Sequence, residues 1–219
     1  RRPPRSTLFP YTTLFRSVFS EHPRARVLAI HTDEAADMPG VVRILTADDI
    51  PGERVLGLYA KDWPVYIKVG EVTRYIGDAL ACVVAETEAE ARAAAACVKA
   101  DYEILTPLLD MEEAETSPIH IHENGNILLD KTIRRGEPVD EALARCAFTA
   151  EATYRTQAVE HAFIEPEAAL AVPEAGGVRL YVQSQGIWHD KTDIAALLHV
   201  PTPKVTVTLA DSGGAFGGK

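Results

Sequence analysis

The last fifteen residues constrain the chain more than any others. Val205-Thr206-Val207-Thr208-Leu209 alternates apolar with hydroxyl-bearing side chains, the two-residue period of a strand with one buried face. It runs into Asp211-Ser212-Gly213-Gly214-Ala215-Phe216-Gly217-Gly218-Lys219, in which glycine and alanine flank Phe216 on both sides. Glycine admits positive φ and close backbone approach, so a strand ending this way delivers a loop whose N–H groups can converge on an anion or oxo group. A tight turn without a ligand is the alternative reading.

Such a loop needs a scaffold. With 219 residues, 47% hydrophobic and 25% charged, the chain is long enough for one or two globular domains with a real core. That composition excludes disordered, collagen-like and disulfide-scaffold classes. No apolar run approaches ~18 residues, so no membrane partner is expected. Thirty-two acidic against 22 basic residues disfavour nonspecific nucleic-acid binding, which needs clustered Lys and Arg. Cys82, Cys97 and Cys146 form no CxxC pair and predict reduced, buried thiols in a cytoplasmic protein.

The pattern divides the chain into four parts. Residues 1–17, RRPPRSTLFPYTTLFRS, lack the apolar core and cleavage site of a signal peptide. They resemble translated sequencing-adapter DNA and are set aside; a genuine basic arm is the alternative. Residues 18–113 read as an α/β unit, with strands over Arg26–His31 and Val41–Leu45 around a turn at Met38-Pro39-Gly40. Thr46 caps a helical turn closed by Pro51-Gly52, and Leu80–Ala85 is a continuous apolar run suited to a buried strand. Thr87 and Glu90 form a capping box for an Ala-rich helix from Glu88 to about Lys99, and an edge strand over Val98–Ile104 follows. Residues 114–146 form an extended connector, in which Pro138–Cys146 adds a short helix. Residues 147–219 turn β-rich, with strands over Phe148–Gln157, Ala168–Val172 and Val178–Gln183, and a helix over His189–Leu198 before the final strand. The glycine-loop ending predicts a chain truncated on both sides.

Two functional readings fit the final loop. Gly213–Lys219 matches G-x-x-x-x-G-K after a strand, the pattern of a phosphate loop in a nucleotide-binding protein, although Phe216 is bulky for a phosphate cradle. The second reading rests on resemblance. SGGAFGGK resembles the GGGFGGK loop of the molybdenum hydroxylases, the xanthine dehydrogenase and aldehyde oxidase family. Pro39-Gly40-Val41-Val42, Leu45–Gly52 and Arg74–Ala81 resemble that family's a/b hammerhead domain, and Glu160–Pro166 resembles the opening of its first molybdopterin-binding domain. The likeness covers residues 18–219, and EHAFIEPEAALAVP and VQSQGIW are most similar to the selenium-dependent xanthine dehydrogenases.

The resemblance implies an α/β (α+β) fold: a hammerhead domain followed by the truncated start of a molybdopterin-binding domain. It implies that Gln185 donates its carboxamide to an oxo group, and that Gly214, Ala215, Phe216 and Gly217 supply backbone amides to a molybdenum-molybdopterin cofactor. Gln183 lies two residues from that place. Ala215 stands where the family has glycine, which requires negative φ there. The implied chemistry is hydroxylation of a purine or other N-heterocycle, or of an aldehyde, with oxygen from water. Electrons leave through iron-sulfur and FAD subunits or domains. Other members of the family, an aldehyde oxidase or an aromatic-CoA reductase, stay open. No residue of this chain is expected to be the catalytic base, which in the family lies downstream of the loop, so the chain alone is expected to be inactive. His161, Glu165 and Glu167 match no metal-ligand face and read as a structural polar segment beside the cofactor. His120 and His122 alternate on one strand face and are expected to be exposed, without a role.

Overall fold

A computed structural model of the chain describes residues 14–58, 60–165 and 167–218. Residues 1–13 of the segment set aside, and Lys219 of the phosphate-loop match, lie outside them. Strand β1 (Leu14–Phe19) is followed by β2 (Ala25–His31), a short helix α1 (Asp33–Ala36) and β3 (Val41–Thr46). After a 3-10 turn at Ala47–Asp49 come the short strands β4 (Val55–Leu56) and β5 (Trp63–Pro64), then β6 (Ala79–Ala85), α2 (Glu88–Cys97) and β7 (Lys99–Ile104). Two short helices follow, α3 (Met111–Thr116) and α4 (Val139–Ala144). The remainder is β8 (Ala169–Glu174), β9 (Gly177–Val182), α5 (Ile187–Leu197), a second 3-10 turn at Thr202–Lys204, and β10 (Val205–Leu209).

The apolar run at Leu80–Ala85 becomes the centre of the first unit. β6 lies between β1 and β3, antiparallel to both. Its alternate residues serve two cores, which is why the run is apolar throughout. Ala81 and Val83 pack with Ala35, Ala94 and Val98 beneath α2. Leu80 points to the opposite side and meets Val27 and Ile67, with Ala100 and Tyr102 of the β2–β7 pair against them. β1 extends back to Leu14, so residues 14–17 pair with Cys82–Ala85. This edge pairing is made by main-chain groups, which any sequence supplies. The Thr87 cap forms, with the Thr87 hydroxyl accepting from the Glu90 N–H. The Glu90 carboxylate, however, turns to the Thr87 hydroxyl at 2.7 Å and not to the Thr87 main chain, so the reciprocal half of the expected box is replaced by a side-chain bond.

Several expectations are corrected. No strand forms over Phe148–Gln157: Phe148 is 94% and Tyr154 88% exposed. An alternating segment becomes a strand only beside a neighbour that completes its backbone hydrogen bonds, and none of the described elements lies there. Cys82 is buried as expected, but Cys97 is half-buried and Cys146 exposed at the end of α4. His122 is not an exposed strand residue either. The Asn126 side chain ties this part of the connector together, accepting from Ile121 N–H and donating to Ala114 and Ile119 carbonyls. That places His122 Nδ1 2.6 Å from Asp62 Oδ2, out of line for a straight hydrogen bond. The pair lies at a cavity of about 200 Å3 shared with Trp63, Arg74, Tyr75 and Asp78.

The second unit is a three-stranded sheet in the order β10-β9-β8. The β8–β9 hairpin turns at Ala175-Gly176, where Gly176 has φ +72°. β9 and β10 then run parallel, in register from Val178–Val205 to Val182–Leu209. Parallel neighbours need a crossover, and α5 supplies it. Its Ala195 packs with Leu180 and Val205 in a small core completed by Ile194, Val178 and Val207.

The turn before Pro51 carries a pH signature. Asp49 accepts from the Thr46 N–H at 2.9 Å and from Arg43 at 2.8 Å, and these bonds hold its carboxyl below the ordinary value of 3.8. A carboxyl lowered in the folded state stabilises above its unfolded pKa, and that contribution fades as pH falls through the folded one. Urea titrations of the chain and Asp49→Asn are therefore expected to differ most at neutral pH and to converge as pH drops below 3.8.

Candidate functional site

Parallel pairing of β9 and β10 puts the ends of both strands on one side of the sheet, the edge where α/β sheets bind ligands. The ladder runs one step past the strands, with Ala210 N–H donating to the Val182 carbonyl at 2.8 Å. Gln185 follows Val182 by three residues, and Gly213 follows Ala210 by three. Adjacent strands lie ~4.8 Å apart, so the two segments leave the sheet side by side.

Each segment is shaped locally. Ser184 Oγ accepts from the Gly186 N–H at 2.9 Å, bending the backbone around Gln185 before Gly186 caps α5. Gln185 is exposed at that bend. Gln183 is half-buried, and its Oε1 is enclosed without a hydrogen-bond partner among the described residues. In the glycine loop, Gly218 N–H donates to the Ala215 carbonyl at 2.8 Å and closes a turn with Phe216 at φ +50° and Gly217 at φ +91°. Both central residues have positive φ, as in a type I′ turn, and a phenylalanine held there is strained. Ala215 is not among the positive-φ residues, as its methyl group requires. Gly214 is, at φ +101°, and the Phe216 ring folds over it.

The loop is held from behind by a segment that sequence reasoning left without a specific role. The Glu165 carboxylate accepts the Gly213 N–H across 48 positions of sequence. A Cβ on Gly213 would stand 2.6 Å from the Glu165 Cβ. A Cβ on Gly218 would stand 2.9 Å from the His161 and Phe163 rings. The glycines at 213 and 218 are thus required by close approach to this backing, and those at 214 and 217 by their backbone angles. The sequence held one trace of this: a carboxylate and two rings within five residues of a chain whose end needs glycine. Among the described residues no group of His, Cys, Asp and Glu is arranged to hold a metal ion.

What the arrangement can do follows from its donors. Among the described residues, the N–H groups of Gly214, Ala215, Phe216 and Gly217 make no intramolecular hydrogen bond. They form a neutral, fixed donor set suited to an anionic or oxo-bearing group. The enclosed Gln183 oxygen offers an acceptor within the same ladder end. A pyranopterin, which carries both N–H donors and oxygen acceptors, fits such a set. A cavity of about 130 Å3 lined by Ile187, Trp188, Lys191, Thr206 and Val207 flanks α5 and contains none of these groups. The brace has a direct test. Because a hydrogen bond to a carboxylate is worth ~1.5–3 kcal/mol, Glu165→Ala is expected to speed exchange of the Gly213 amide by roughly 10- to 100-fold.

Comparison with known proteins gives the site its context. Residues 9–106 match the aldehyde oxidase and xanthine dehydrogenase a/b hammerhead domain. Residues 119–219 match the molybdopterin cofactor-binding domain. The chain is 32% identical over 213 residues to a subunit of a probable xanthine dehydrogenase from Bacillus subtilis (strain 168), covering 96% of this chain and 28% of that protein. It is 35% identical to the nicotinate dehydrogenase large molybdopterin subunit of Eubacterium barkeri, covering 95% of this chain and 48% of the relative. Among solved structures, the aldehyde oxidoreductase of Desulfovibrio gigas superposes with a TM-score of 0.84 at 28% identity, over 94% of this chain and 24% of that one. The chain thus spans between about a quarter and a half of the relatives' length. The cofactor-domain match runs through the glycine loop, which removes the phosphate-loop reading. Together the two domain matches and the superposition place the chain in the molybdenum hydroxylase family of xanthine dehydrogenases and aldehyde oxidases.

Proposed function

We propose that this chain forms the hammerhead domain and the beginning of the cofactor domain of a molybdenum-dependent hydroxylase of the xanthine dehydrogenase type. Its substrate is a purine or another N-heterocycle, with water as the oxygen source. The domains run over residues 18–113 and 147–219, joined by a connector at 114–146. The observation that carries this is the parallel β9–β10 pair, which sends Gln185 and the glycine loop out of the sheet as neighbours. Support for an N-heterocycle comes from two relatives, one named for xanthine and one for nicotinate. The resemblance of EHAFIEPEAALAVP and VQSQGIW to the selenium-dependent type supports that subfamily. An aldehyde as substrate is the second reading, favoured by the superposition on an aldehyde oxidoreductase.

In this reading Gln185 donates a side-chain N–H to an oxygen of the bound group. A carboxamide suits the position because it donates without adding negative charge beside an anionic cofactor. Gly214, Ala215, Phe216 and Gly217 donate main-chain N–H groups that are already oriented, so no reorganisation accompanies charge development. The exposed Phe216 ring, held by the strained turn, walls the approach to that oxygen. When bound, the molybdenum-pterin group supplies the two-electron redox chemistry, and iron-sulfur and FAD subunits or domains carry the electrons away. Among the described residues no helix is long and apolar enough to cross a membrane. We place the enzyme in the cytoplasm.

The test is purification of the enzyme from its full reading frame, with molybdenum and pterin measured as bound content and hydroxylation assayed with xanthine, nicotinate and an aldehyde. Equimolar molybdenum and pterin with turnover of a heterocycle is expected, and absence of pterin would contradict the reading. Gln185→Ala is expected to keep the pterin but lower kcat by roughly 100-fold, the scale of losing one preorganised donor.

A further inference from the structure

The crossover helix α5 connects the two segments of the proposed site, and its far end is held by the other domain. The last carbonyls of a helix have no partner within it and need one from outside. In α5, Leu197 O accepts the Gly52 N–H at 3.0 Å and Ala196 O accepts the Glu53 N–H at 3.0 Å. Local turns add His199 N–H to Ala196 O at 3.2 Å and Val200 N–H to Ala195 O at 2.9 Å, with His199 at φ +54°. The approach of the hammerhead loop is so close that a Cβ on Gly52 would stand 1.9 Å from Ala196 O. Glu53 also pairs with Lys61 at 2.7 Å.

We propose that the hammerhead loop Pro51-Gly52-Glu53 is a positioning element for Gln185, holding the C-terminus of α5 by two main-chain hydrogen bonds and thereby fixing the bend at its N-terminus. The inference rests on the reading of Gln185 as the residue that meets the cofactor. α5 is an 11-residue rod, about 16 Å long at 1.5 Å per residue. Its first residue follows Gln185 by two positions, so a shift or tilt imposed at Leu197 is transmitted to the Ser184–Gly186 bend. Gln185 and Gly213 both lie three residues beyond the last ladder pair; the loop is braced there by Glu165, and Gln185 is joined to α5 through the Ser184–Gly186 bend. The hammerhead domain thus sets the alignment of one cofactor donor relative to the others.

The experiment uses the 15N-labelled 219-residue chain and three variants. Gly52→Ala adds the colliding methyl group, Glu53→Pro deletes one donor without a new side chain at Gly52, and Glu53→Gln keeps both amides while removing the Lys61 pair. The Gly52 and Glu53 amides of the unaltered chain are expected to be protected from exchange. In Gly52→Ala and Glu53→Pro the side-chain NH2 resonances of Gln185 and the Gly186 amide are expected to move or broaden, while the Ala81 and Val83 amides stay in place. Glu53→Gln is expected to reproduce the unaltered spectrum at Gln185. Unmoved Gln185 resonances in either clamp variant, with Ala81 and Val83 intact, would overturn the proposal, as would unprotected Gly52 and Glu53 amides in the unaltered chain. Pterin content of the full-length enzyme reads the functional assignment separately: an enzyme without pterin overturns that assignment, whereas the Gln185 resonances alone decide the clamp.

Discussion

Everything at the site depends on two strands running the same way. Had β9 and β10 paired antiparallel, the segment after Val182 and the segment after Leu209 would leave the sheet at opposite ends. A parallel pair puts both at one edge, at the cost of a crossover whose helix has to be capped and packed. α5 meets that cost in two ways. Ala195 and Ile194 bury one face against the sheet, and the hammerhead loop satisfies the carbonyls at the helix end. The edge that results presents main-chain donors on one strand and a carboxamide on its neighbour, a combination whose chemistry suits an oxygen-rich group and adds no formal charge.

The glycine loop is braced as well as flexible in sequence. Of the four glycines, two are required by the backing segment 161–165 and two by positive φ. The backing takes up the first amide of the loop, Gly213, while the following four make no intramolecular hydrogen bond among the described residues. Strain at Phe216 persists because its neighbours over-determine the turn: the Gly218–Ala215 hydrogen bond closes it on one side and the ring lies over Gly214 on the other. Rigid placement of donors is what a site of this kind needs, since the benefit of preorganisation comes from donors that do not have to move.

Local signals were legible wherever the physics was local. The run at Leu80–Ala85 is apolar throughout because both faces of β6 are buried, the Thr87 cap starts α2, and the alternation at Val205–Leu209 marks β10. The pairing that matters most, β9 with β10, is not encoded in any periodicity, because none carries the direction of a strand. The family likeness implies only that Gln185 and the loop meet one cofactor, and the parallel register comes from the structure. What stayed hidden is set by long-range contact. The Glu165 carboxylate meets Gly213 across 48 positions, and Gly52 meets the end of α5 from another domain. The segment around Phe148–Gln157 shows the converse error, since its alternation is present but its partner strand is not among the described elements. His122 was misread for the same reason: its neighbour Asp62 comes from a distant loop.

The central claim is that the carboxamide segment and the glycine loop leave one sheet edge together. Cross-strand nuclear Overhauser effects in the labelled chain address it most directly. The account predicts a parallel pattern linking Val178 to Val205 and Val182 to Leu209 and Ala210, continuing to the edge from which Gln185 and Gly213 depart. An antiparallel pattern between these strands, or no contact between Val182 and Ala210, would separate the two segments and contradict it.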